Sequence, residues 1–364
     1  MKQIHLIAGA RPNFMKIAPL YHVLSQSKWA GSVIVHTGQH YDFNMSGVFL
    51  QDLGLPNPDI HLGVSSGTHA EQTGKIMMAY EKVLMDKTPD LVVVVGDVNS
   101  TLACALACVK LGIPIAHLEA GLRSFDRSMP EEVNRILTDA ISDILWTPSP
   151  DGDKNLRREG VAQEKIHRVG NIMIDCFEMM RDRIERENSN RKFGLAPNNY
   201  GVVTIHRPSN VDQPEALERL CGSLVAISSR IPILFPVHSR TFKNLKAFGL
   251  LSRLEDEPKI RLTKPMSYVS FMSVVLHCKF ALTDSGGIQE ETTYLGIPCL
   301  TLRPNTERPI TIEQGTNRLC KLENIEQSLD AILNDAHNVN RVPEMWDGQT
   351  AKRIEESMRL FFES

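Results

Sequence analysis

Short apolar runs alternate with amphipathic stretches along the whole of this 364-residue chain. In its first half such runs predict β-strands at residues 4–8, 32–36, 91–95, 113–118, 144–147 and 166–169. In its second half they predict strands at residues 201–205, 232–237, 259–263, 280–283, 299–302 and 317–320. The stretches between the runs have the length and periodicity of helices, so the pattern predicts two successive series of βαβ units.

The predicted strands are continuous Val, Ile and Leu runs and do not alternate between apolar and polar residues. This pattern is typical of strands that are buried on both faces, and therefore of parallel sheets covered by helices. The chain is also longer than one compact core usually allows. We therefore predict an α/β protein of two Rossmann-like, doubly wound domains that join near the sequence VGNIMIDCFEMM.

Charged and small residues follow the predicted strands of both halves at the same end. In the first half they are Gly9, Arg11, Lys16, Gly96, Asp97, Ser100 and Glu119, and in the second half His206, Arg207, His238, Asp284, Ser285, Gly286 and Gly287. Because ligands bind at the carboxyl ends of parallel strands, we expect two facing sheets with a ligand in the cleft between them. The Ser-Gly-Gly turn before a helix is typical of an anion site. Neither half carries G-x-G-x-x-G after its first strand or a P-loop, which disfavours nicotinamide cofactors and P-loop chemistry.

Composition and charge disfavour several classes of partner. The chain has 42% hydrophobic and 23% charged residues, a net charge of −3 and a pI near 6.5, so bulk electrostatics favours neither nucleic acid nor an anionic membrane. Its apolar runs are too short for a membrane span, and the N-terminal run is too short for a signal peptide. The seven scattered cysteines indicate buried free thiols. We expect a cytoplasmic protein without a metal centre.

Several candidate residues also have a purely structural interpretation. The alternatives left open are a helix cap (Asp97), helix-start carboxylates (Glu131 and Glu132), a solvated lysine (Lys16), a core aromatic (Phe271), a helix-dipole carboxylate (Glu290) and structural histidines (His117, His238 and His277). Glu119 ends an apolar strand, where a carboxylate needs a partner or water. The position of His206 beside Arg207 at a strand end favours a functional role for this histidine over a structural one. The gathering of these residues at the same end of the predicted strands is stronger evidence for a site than any one of them.

Ten motifs occur in order across nearly the whole chain. They are GARPNFMKIAP, HTGQHYD, VVGDVNST, HLEAGLRS, MPEEVNR, IHRPSN, FPVH, LTDSGGIQEE, LGIPCLTLRPNTERP and the GT that follows Gln314. With this combination the chain resembles the non-hydrolysing UDP-N-acetylglucosamine 2-epimerases of bacteria and archaea. The resemblance implies the GT-B fold, with an N-terminal domain of residues 1–171 plus 348–364 that carries the acid/base residues. Residues 172–347 would then form the UDP-binding domain.

The resemblance implies an isomerase that converts UDP-GlcNAc to UDP-ManNAc for cell-surface polysaccharide biosynthesis, without a cofactor. The C2 proton is removed as the C1–O bond to UDP breaks, and UDP then adds back to 2-acetamidoglucal while a proton reaches the other face of C2. This chemistry requires acid/base carboxylates near C2 and cationic or N–H donors on the diphosphate. The residues that match the family's catalytic positions are Asp97, Glu119, Glu131, His206 and Lys16.

The same resemblance implies the residues that bind the substrate. The diphosphate would contact Ser285, Gly286 and Gly287, with Arg308 nearby. Glu291 would bind the ribose hydroxyls, and Phe271 would stack on uracil. Arg11 and Arg207 complete the matching set.

The chain departs from many bacterial members of this family at a few positions. Asn13 and Phe14 replace Glu-Ala, and Pro208 replaces an Arg that often follows His-Arg. Bacterial members are commonly activated by substrate at a neighbouring second site. Gln39, His40, Arg207 and His238 match that second-site pattern in part, whereas Asp42 and Ile136 do not.

Four other functions remain open alongside this epimerase. A hydrolysing epimerase would release ManNAc and UDP, and a related epimerase would act on a modified UDP-HexNAc such as a 2,3-diacetamido uronate. A GT-B glycosyltransferase would transfer the sugar, but it has no evident use for three carboxylates near C2. A nucleotide-sugar sensor would not need the set Asp97, Glu119, Glu131 and His206. A homodimer is expected from the family.

Overall fold

The computed structural model of this chain describes residues 1–38, 49–334 and 341–363. The chain forms two compact units. The first comprises Met1–Met179 together with Glu344–Ser364, and the second comprises Met180–Pro343. The first unit is therefore built from two separate parts of the chain, and the second from one continuous part.

The first unit contains a seven-stranded parallel sheet. Its strands are β1 (Lys2–Ala8), β2 (Ala30–His36), β3 (Ile60–His61), β4 (Leu91–Val95), β5 (Ile115–Leu118), β6 (Ile144–Thr147) and β7 (Ile166–Arg168). They are arranged in the order β3-β2-β1-β4-β5-β6-β7, with every pairing parallel. The order reverses between β1 and β4, so the switch point of this doubly wound sheet lies there.

Helices alternate with these strands. They are α1 (Arg11–Ser25), α2 (His69–Asp86), α3 (Asn99–Lys110), α4 (Pro130–Ile141), α5 (Pro150–Arg158) and α6 (Ile172–Glu187), with a 3₁₀ turn at Gln163–Lys165. Val92 and Val94 of β4 pack with Ile76 and Tyr80 of α2 in one buried cluster. All five residues of β4 are buried, as the uninterrupted valine run predicts for a strand covered on both faces.

The second unit contains a six-stranded parallel sheet. Its strands are β8 (Gly201–Thr204), β9 (Ile233–Pro236), β10 (Ile260–Thr263), β11 (Phe280–Thr283), β12 (Cys299–Leu302) and β13 (Asn317–Cys320). Their order is β10-β9-β8-β11-β12-β13, again parallel throughout. Its switch point lies between β8 and β11.

The helices of the second unit include several short ones. They are α7 (Ser189–Lys192), α8 (Pro208–Val211), α9 (Pro214–Arg230), α10 (Ser239–Ala247), α11 (Leu251–Glu255), α12 (Tyr268–Leu276), α13 (Gly286–Leu295), α14 (Ile310–Glu313) and α15 (Ile325–Leu333), with a 3₁₀ turn at Leu322–Asn324. The main core of this unit joins β8, β9 and β11 to α9 and α15 through Val203, Phe235, Leu282, Leu224 and Leu329.

The final helix, α16 (Thr350–Glu363), belongs to the first unit. Ile354 and Met358 on its inner face are fully buried, and the helix packs against α1. The indole N–H of Trp146 donates to the Ser357 hydroxyl at 3.0 Å. The segment before α16 packs closely against Gly170, the residue two positions before α6. A Cβ on Gly170 would lie 2.2 Å from the Met345 carbonyl oxygen, so only glycine fits there.

The predicted strands are confirmed, with small differences at their ends. The exception is β3, Ile60–His61, which is too short to leave an apolar run in the sequence. The prediction of buried free thiols is also confirmed, because all seven cysteines are buried and none is in a disulfide bond. Within the described residues, no helix combines the length and apolar character that a membrane crossing requires.

The packing of α16 predicts the effect of trimming one buried side chain. Ile354→Ala should lower the free energy of unfolding of the first unit by about 2–5 kcal/mol, because it removes fully buried methyl groups and leaves a cavity. The measurement is denaturant unfolding followed by tryptophan fluorescence, since Trp29, Trp146 and Trp346 all lie in the first unit.

The matched control is Leu360→Ala on the same helix, where the side chain is 54% exposed. This change should shift the free energy of unfolding by no more than about 0.5 kcal/mol. Equal effects of the two substitutions would contradict the packing of α16 described above.

Candidate active site

Glu119 and Lys16 form a buried pair in the first unit. Glu119 follows β5, is 5% exposed, and accepts a hydrogen bond from the Lys16 ammonium group of α1 through Oε2. Its other oxygen, Oε1, is buried and has no hydrogen-bond partner among the described residues. Glu119 also has a φ of +72°, a strained conformation for a non-glycine residue that is typical of functional sites. The open interpretation of Lys16 as a solvated lysine is therefore wrong.

The turn after β4 lies against this pair. A Cβ on Gly96 would be 3.2 Å from Lys16 Nζ and 3.4 Å from Glu119 Oε2, and the φ of Gly96 is +69°. Glycine is therefore needed here both for space and for backbone conformation. Asp97 comes next in the chain, directly after the glycine that lies against this pair.

Asp97 does not cap a helix. The cap position of α3 is Val98, and no side chain caps its N-terminus. Instead, the Asp97 carboxylate receives the guanidinium group of Arg135, with Nε 3.1 Å and Nη2 2.9 Å from Oδ2. The Asn134 amide donates to the Asp97 carbonyl at 2.9 Å. About a third of the Asp97 side chain remains exposed.

Helix α4 carries the third predicted carboxylate and starts at Pro130, as the sequence predicts. Glu131 is partly exposed and makes no hydrogen bond or ion pair with a described residue. Glu132 beside it is buried and structural: it accepts from the Ser124 and Phe125 backbones at 2.9 and 2.8 Å and pairs with Arg135. Of the two adjacent glutamates, Glu131 is therefore available for chemistry.

Asn13 fixes the first loop in a way that the sequence did not reveal. Its Oδ1 accepts from the backbone N–H groups of Gly9 and Ala10 at 3.2 and 2.8 Å. Its Nδ2 donates to the Val95 carbonyl at 3.0 Å. A glutamate at this position could not make the last bond, because a carboxylate has no donor. Asn13 thus joins the start of α1 to the end of β4.

His117 and Asp139 form a second buried pair, next to Glu119. The Asp139 carboxylate receives His117 Nδ1 at 2.6 Å and Arg123 Nη2 at 2.7 Å. Burial acts to raise the pKa of Asp139, but the hydrogen bonds and positive charges of His117 and Arg123 outweigh it and hold that pKa below its ordinary value. Asp139 is therefore a buried anion in the folded protein.

Asp284 organises the corresponding region of the second unit. It follows β11 and is fully buried. Its carboxylate accepts from the backbone N–H groups of His206 and Arg207 at 3.0 and 2.8 Å, and from the Asn210 amide at 3.0 Å. His206 Nδ1 lies 3.1 Å from Asp284 Oδ1. The carboxylate thus fixes the chain after β8, where His206 and Arg207 lie at the switch point of the second sheet.

His238 lies close to His206. Their ring centroids are 5.2 Å apart. His238 is exposed and accepts a hydrogen bond from the Arg240 backbone through Nδ1. Desolvation and the neighbouring His206 lower the pKa of His238. His238 is therefore predominantly neutral near neutral pH and serves as the cap of α10.

The Ser285-Gly286-Gly287 turn starts α13, as predicted. Ser285 is the cap residue, but its side chain makes no capping hydrogen bond, which leaves the N–H groups of the first turn available to an anion. A Cβ on Gly286 would lie 2.7 Å from Arg308 Nη1, whereas one on Gly287 would meet nothing within 4 Å. Gly286 thus admits Arg308, and Gly287 borders open space.

Arg308 lies beneath this turn in a network of buried ion pairs. Its Nε is 2.8 Å from Glu290 Oε1, and its Nη1 is 2.5 Å from Glu307 Oε1. Glu307 also pairs with Arg303 at 2.8 Å. Glu290 is therefore the partner of a buried arginine, and the interpretation as a helix-dipole carboxylate does not account for its burial.

Glu291 is buried beside Tyr268, whose hydroxyl donates to Oε1 at 2.8 Å. Burial, only partly offset by this hydrogen bond, raises the pKa of Glu291 to about 8. Phe271, one turn further along α12, is partly buried and packs against Ala281, Ile288 and Cys299. Part of the Phe271 ring remains accessible, so a core contact and a stacking role are compatible.

The remaining predicted residues differ in how they are placed. Arg11 starts α1, is exposed, and its guanidinium lies 5.5 Å from the centroid of the Phe49 ring. Gln39 and His40, predicted for a second site, lie outside the described residues, as does Asp42. The described residues contain no group of His, Cys, Asp and Glu suited to hold a metal ion.

Comparison with known proteins identifies the class and then the family. The chain aligns with the crystal structure of a Methanocaldococcus jannaschii UDP-GlcNAc 2-epimerase in complex with UDP-GlcNAc and UDP, with a TM-score of 0.88, 40% identity and full coverage of both chains. Two doubly wound parallel units with polar clusters at their switch points thus define a GT-B-like α/β protein. The sequence model of the UDP-N-acetylglucosamine 2-epimerase family matches residues 22–359, and the chain belongs to that family.

Two curated relatives show the range of substrates among similar chains. A UDP-N-acetylglucosamine 2-epimerase of Methanococcus maripaludis is 41% identical over 361 residues, which cover 97% of each chain. A UDP-2,3-diacetamido-2,3-dideoxy-D-glucuronate 2-epimerase of Pseudomonas aeruginosa is 39% identical over 321 residues, 87% of this chain and 88% of the relative. The predicted family and fold are confirmed.

The raised pKa of Glu291 predicts a pH-dependent stability. The folded protein binds this proton more tightly than the unfolded chain, so the free energy of unfolding of the second unit should fall between about pH 5 and about pH 8, by up to about 1.4 kcal/mol per pH unit. Glu291→Gln is neutral throughout and should remove this part of the decline. Calorimetric unfolding at a series of pH values measures it.

Glu313→Gln is the matched control, since Glu313 is an exposed glutamate of the same unit. It should retain the pH dependence of the unmodified protein. An unchanged slope in Glu291→Gln would show that Glu291 is ionised in the folded protein at neutral pH.

Proposed function

We propose that this protein is a non-hydrolysing UDP-GlcNAc 2-epimerase, which interconverts UDP-GlcNAc and UDP-ManNAc. The observation that carries the proposal is the arrangement around Gly96, which lies against the Lys16–Glu119 pair and directly precedes Asp97. Gly96 and Glu119 follow two adjacent strands, β4 and β5. Such a cluster of carboxylates with one cation suits proton transfer at a carbon atom. The near full-length similarity to UDP-GlcNAc 2-epimerases supports the same reaction.

The chemistry follows from the weak acidity of the C2 proton, which is not adjacent to a carbonyl. A carboxylate takes the C2 proton, the C–H electron pair forms the C1–C2 double bond, and the C1–O pair leaves with UDP. The products of this step are 2-acetamidoglucal and UDP. In the second half-reaction, a UDP oxygen forms the new C1–O bond, and the electron pair of the C1–C2 double bond takes a proton from a carboxylic acid on the opposite face of C2. That acid becomes a carboxylate. No net oxidation or water addition occurs.

We assign the proton transfers to Asp97, Glu119 and Glu131 of the first unit. One must accept a proton while another donates, so they must differ in protonation during each half-reaction. Their surroundings differ accordingly. Asp97 is paired with Arg135, Glu119 is buried against Lys16, and Glu131 is partly exposed and unpaired among described residues.

We assign UDP binding to the second unit. The diphosphate would bind at the N-terminus of α13, at Ser285, Gly286 and Gly287, where free N–H groups and the helix dipole favour an anion. Arg308, held by Glu290 and Glu307, would contribute positive charge from beneath the turn. Arg207 of the same unit is partly exposed and would add a second cationic group.

His206 would assist the departure of UDP from the same diphosphate. Asp284 fixes the position of His206 by accepting a hydrogen bond from its backbone N–H. The imidazole is 38% exposed, so it can reach a ligand. A proton or hydrogen bond on the leaving oxygen offsets the charge that develops as the C1–O bond breaks. For the nucleoside, Glu291 would bind the ribose and Phe271 would stack on uracil.

The finer properties of the protein follow from this proposal. We expect a cytoplasmic homodimer that acts on nucleotide sugars and requires neither nucleic acid nor a membrane. The Pseudomonas aeruginosa relative favours one second candidate, namely inversion at C2 of a modified UDP-HexNAc. The mechanism would be the same, with different contacts to the substituents at C3 and C6.

Deuterium incorporation tests the reaction. UDP-GlcNAc incubated with the protein in D₂O should give UDP-ManNAc that carries deuterium at C2, because the proton lost to the carboxylate exchanges with solvent. Mass spectrometry and NMR of the nucleotide sugars measure it, with UDP-2,3-diacetamido-2,3-dideoxy-glucuronate tested in parallel. Steady release of ManNAc and UDP would identify a hydrolysing enzyme instead, and no exchange with either substrate would refute an epimerase.

Removal of one carboxylate tests the assignment of Asp97. Asp97→Asn keeps the shape of the side chain but cannot exchange a proton, so kcat and C2 deuterium exchange should fall by at least about 100-fold. Calorimetric UDP binding should persist, because we assign the nucleotide to the second unit. Asp86→Asn, at an exposed aspartate of α2, is the control and should retain activity. Normal turnover by Asp97→Asn would exclude Asp97 from proton transfer.

A further inference from the structure

His117 occupies an unusual position for a buried histidine. It lies on β5, two residues before Glu119, and is fully buried. Its Nδ1 is 2.6 Å from Asp139 Oδ1, and its Nε2 is 2.9 Å from the Gly96 carbonyl oxygen. Both ring nitrogens thus face oxygen acceptors, and both hydrogen bonds can form only when both nitrogens carry protons.

A doubly protonated imidazole needs a nearby negative charge when it is buried. Asp139 supplies that charge, and the same carboxylate also receives Arg123. Arg123 in turn pairs with Glu159 at 2.6 Å. The result is a chain of alternating charges, His117, Asp139, Arg123 and Glu159, which runs from the Gly96 turn to the partly exposed Glu159.

The Asp139 carboxylate also fixes the backbone on the other side of Glu119. Its Oδ2 accepts from the Gly121 N–H at 3.0 Å. Residues 117 and 121 are therefore bound to the two oxygens of one carboxylate, with Glu119 midway between them. This arrangement supports the φ of +72° at Glu119, which the surrounding structure must maintain.

The Nε2 bond extends the same control to Asp97. Gly96 is the residue before Asp97, and His117 holds its carbonyl oxygen. Helix α4 contributes further contacts to the same segment, because Asn134 binds the Asp97 carbonyl and Arg135 binds its carboxylate. The helix that carries Glu131 therefore also positions the other two candidate carboxylates.

We propose that Asp139 and His117 are positioning residues for the epimerisation: Asp139 holds His117 doubly protonated, and together they set the relative placement of Asp97 and Glu119. This inference rests on the proposed function. The pair does not touch substrate. It acts through the Gly96 carbonyl and the backbone around Glu119, where a small displacement of either carboxylate would slow proton transfer at C2.

Asp139→Asn is the first test. The neutral amide no longer compensates the two cations, so His117 should lose its Nδ1 proton. The ring then loses the charge-assisted bond to residue 139 that orients its Nε2 towards the Gly96 carbonyl. We expect kcat to fall by about 100-fold, while calorimetric UDP affinity changes by less than about threefold. With substrate deuterated at C2, the kinetic isotope effect on kcat should increase, because proton abstraction becomes more rate-limiting. A merely structural role would not produce this selective increase.

Glu159→Gln is the matched control. It makes the same carboxylate-to-amide change on another partner of Arg123 but leaves Asp139 and His117 in contact. We expect kcat and the isotope effect to remain within about twofold of the unmodified enzyme. Equal losses in Glu159→Gln and Asp139→Asn, or normal kinetics in Asp139→Asn, would overturn the proposal.

A second variant covers the case in which Asp139→Asn does not fold. His117→Gln keeps an amide donor near Gly96 but cannot carry a positive charge. It should show the same fall in kcat and the same rise in isotope effect, with UDP binding retained. Normal kinetics in His117→Gln would overturn the proposal.

The protonation of His117 can be measured without turnover. In protein labelled with ¹⁵N-histidine, the NMR resonances absent from His117→Gln should report two protonated nitrogens at neutral pH. A neutral imidazole would contradict the proposal even in an active enzyme. The NMR result does not depend on turnover. A failed D₂O experiment would refute the proposed function, and the protonation state of His117 could still be measured.

Discussion

The direction of parallel strands determines where chemistry can occur in this protein. At a switch point, the connections from two adjacent strands leave on opposite faces of the sheet, so the carboxyl ends are left uncovered. The first sheet has such a point between β1 and β4, and the second has one between β8 and β11. Lys16 and Asp97 follow the first pair, while His206 and Asp284 follow the second. The same topological constraint thus places both the residues proposed for proton transfer and the turn proposed for anion binding.

A charged side chain that is buried at the edge of a sheet needs hydrogen-bond donors or opposite charges around it, because an unpaired charge is costly in a low-dielectric surrounding. Both units contain a buried aspartate that accepts hydrogen bonds from several donors at once. Asp284 fixes the backbone N–H groups of His206 and Arg207, and Asp139 fixes Gly121 together with His117. Neither aspartate needs to touch substrate. Each fixes the segment that follows a strand, and in the proposed mechanism that segment carries groups that contact the substrate.

The sequence predicted the features that depend on local pattern. Apolar runs predicted the strands, and the residues after them predicted the candidate site. It did not predict which charged residues pair with one another, because His117 and Asp139 are 22 positions apart and meet only through the fold. For the same reason the sequence did not predict that Arg308 pairs with Glu290 and Glu307. The two-residue strand β3 left no periodic signal at all.

The division of the first unit into two chain segments has a consequence for biosynthesis. Because Glu344–Ser364 completes this unit, the surface of α1 that α16 covers has no cover until the whole of the second unit has left the ribosome. The second unit, in contrast, is continuous and can fold as soon as it emerges. The nascent chain must therefore keep an apolar face of its first unit exposed throughout that interval, and exposed apolar surface of this kind favours aggregation during folding. Completion of the first unit then joins its two chain segments, which are separated in the sequence by the folded second unit. Because that unit is compact, the effective loop between the segments is shorter than an unfolded chain of the same length.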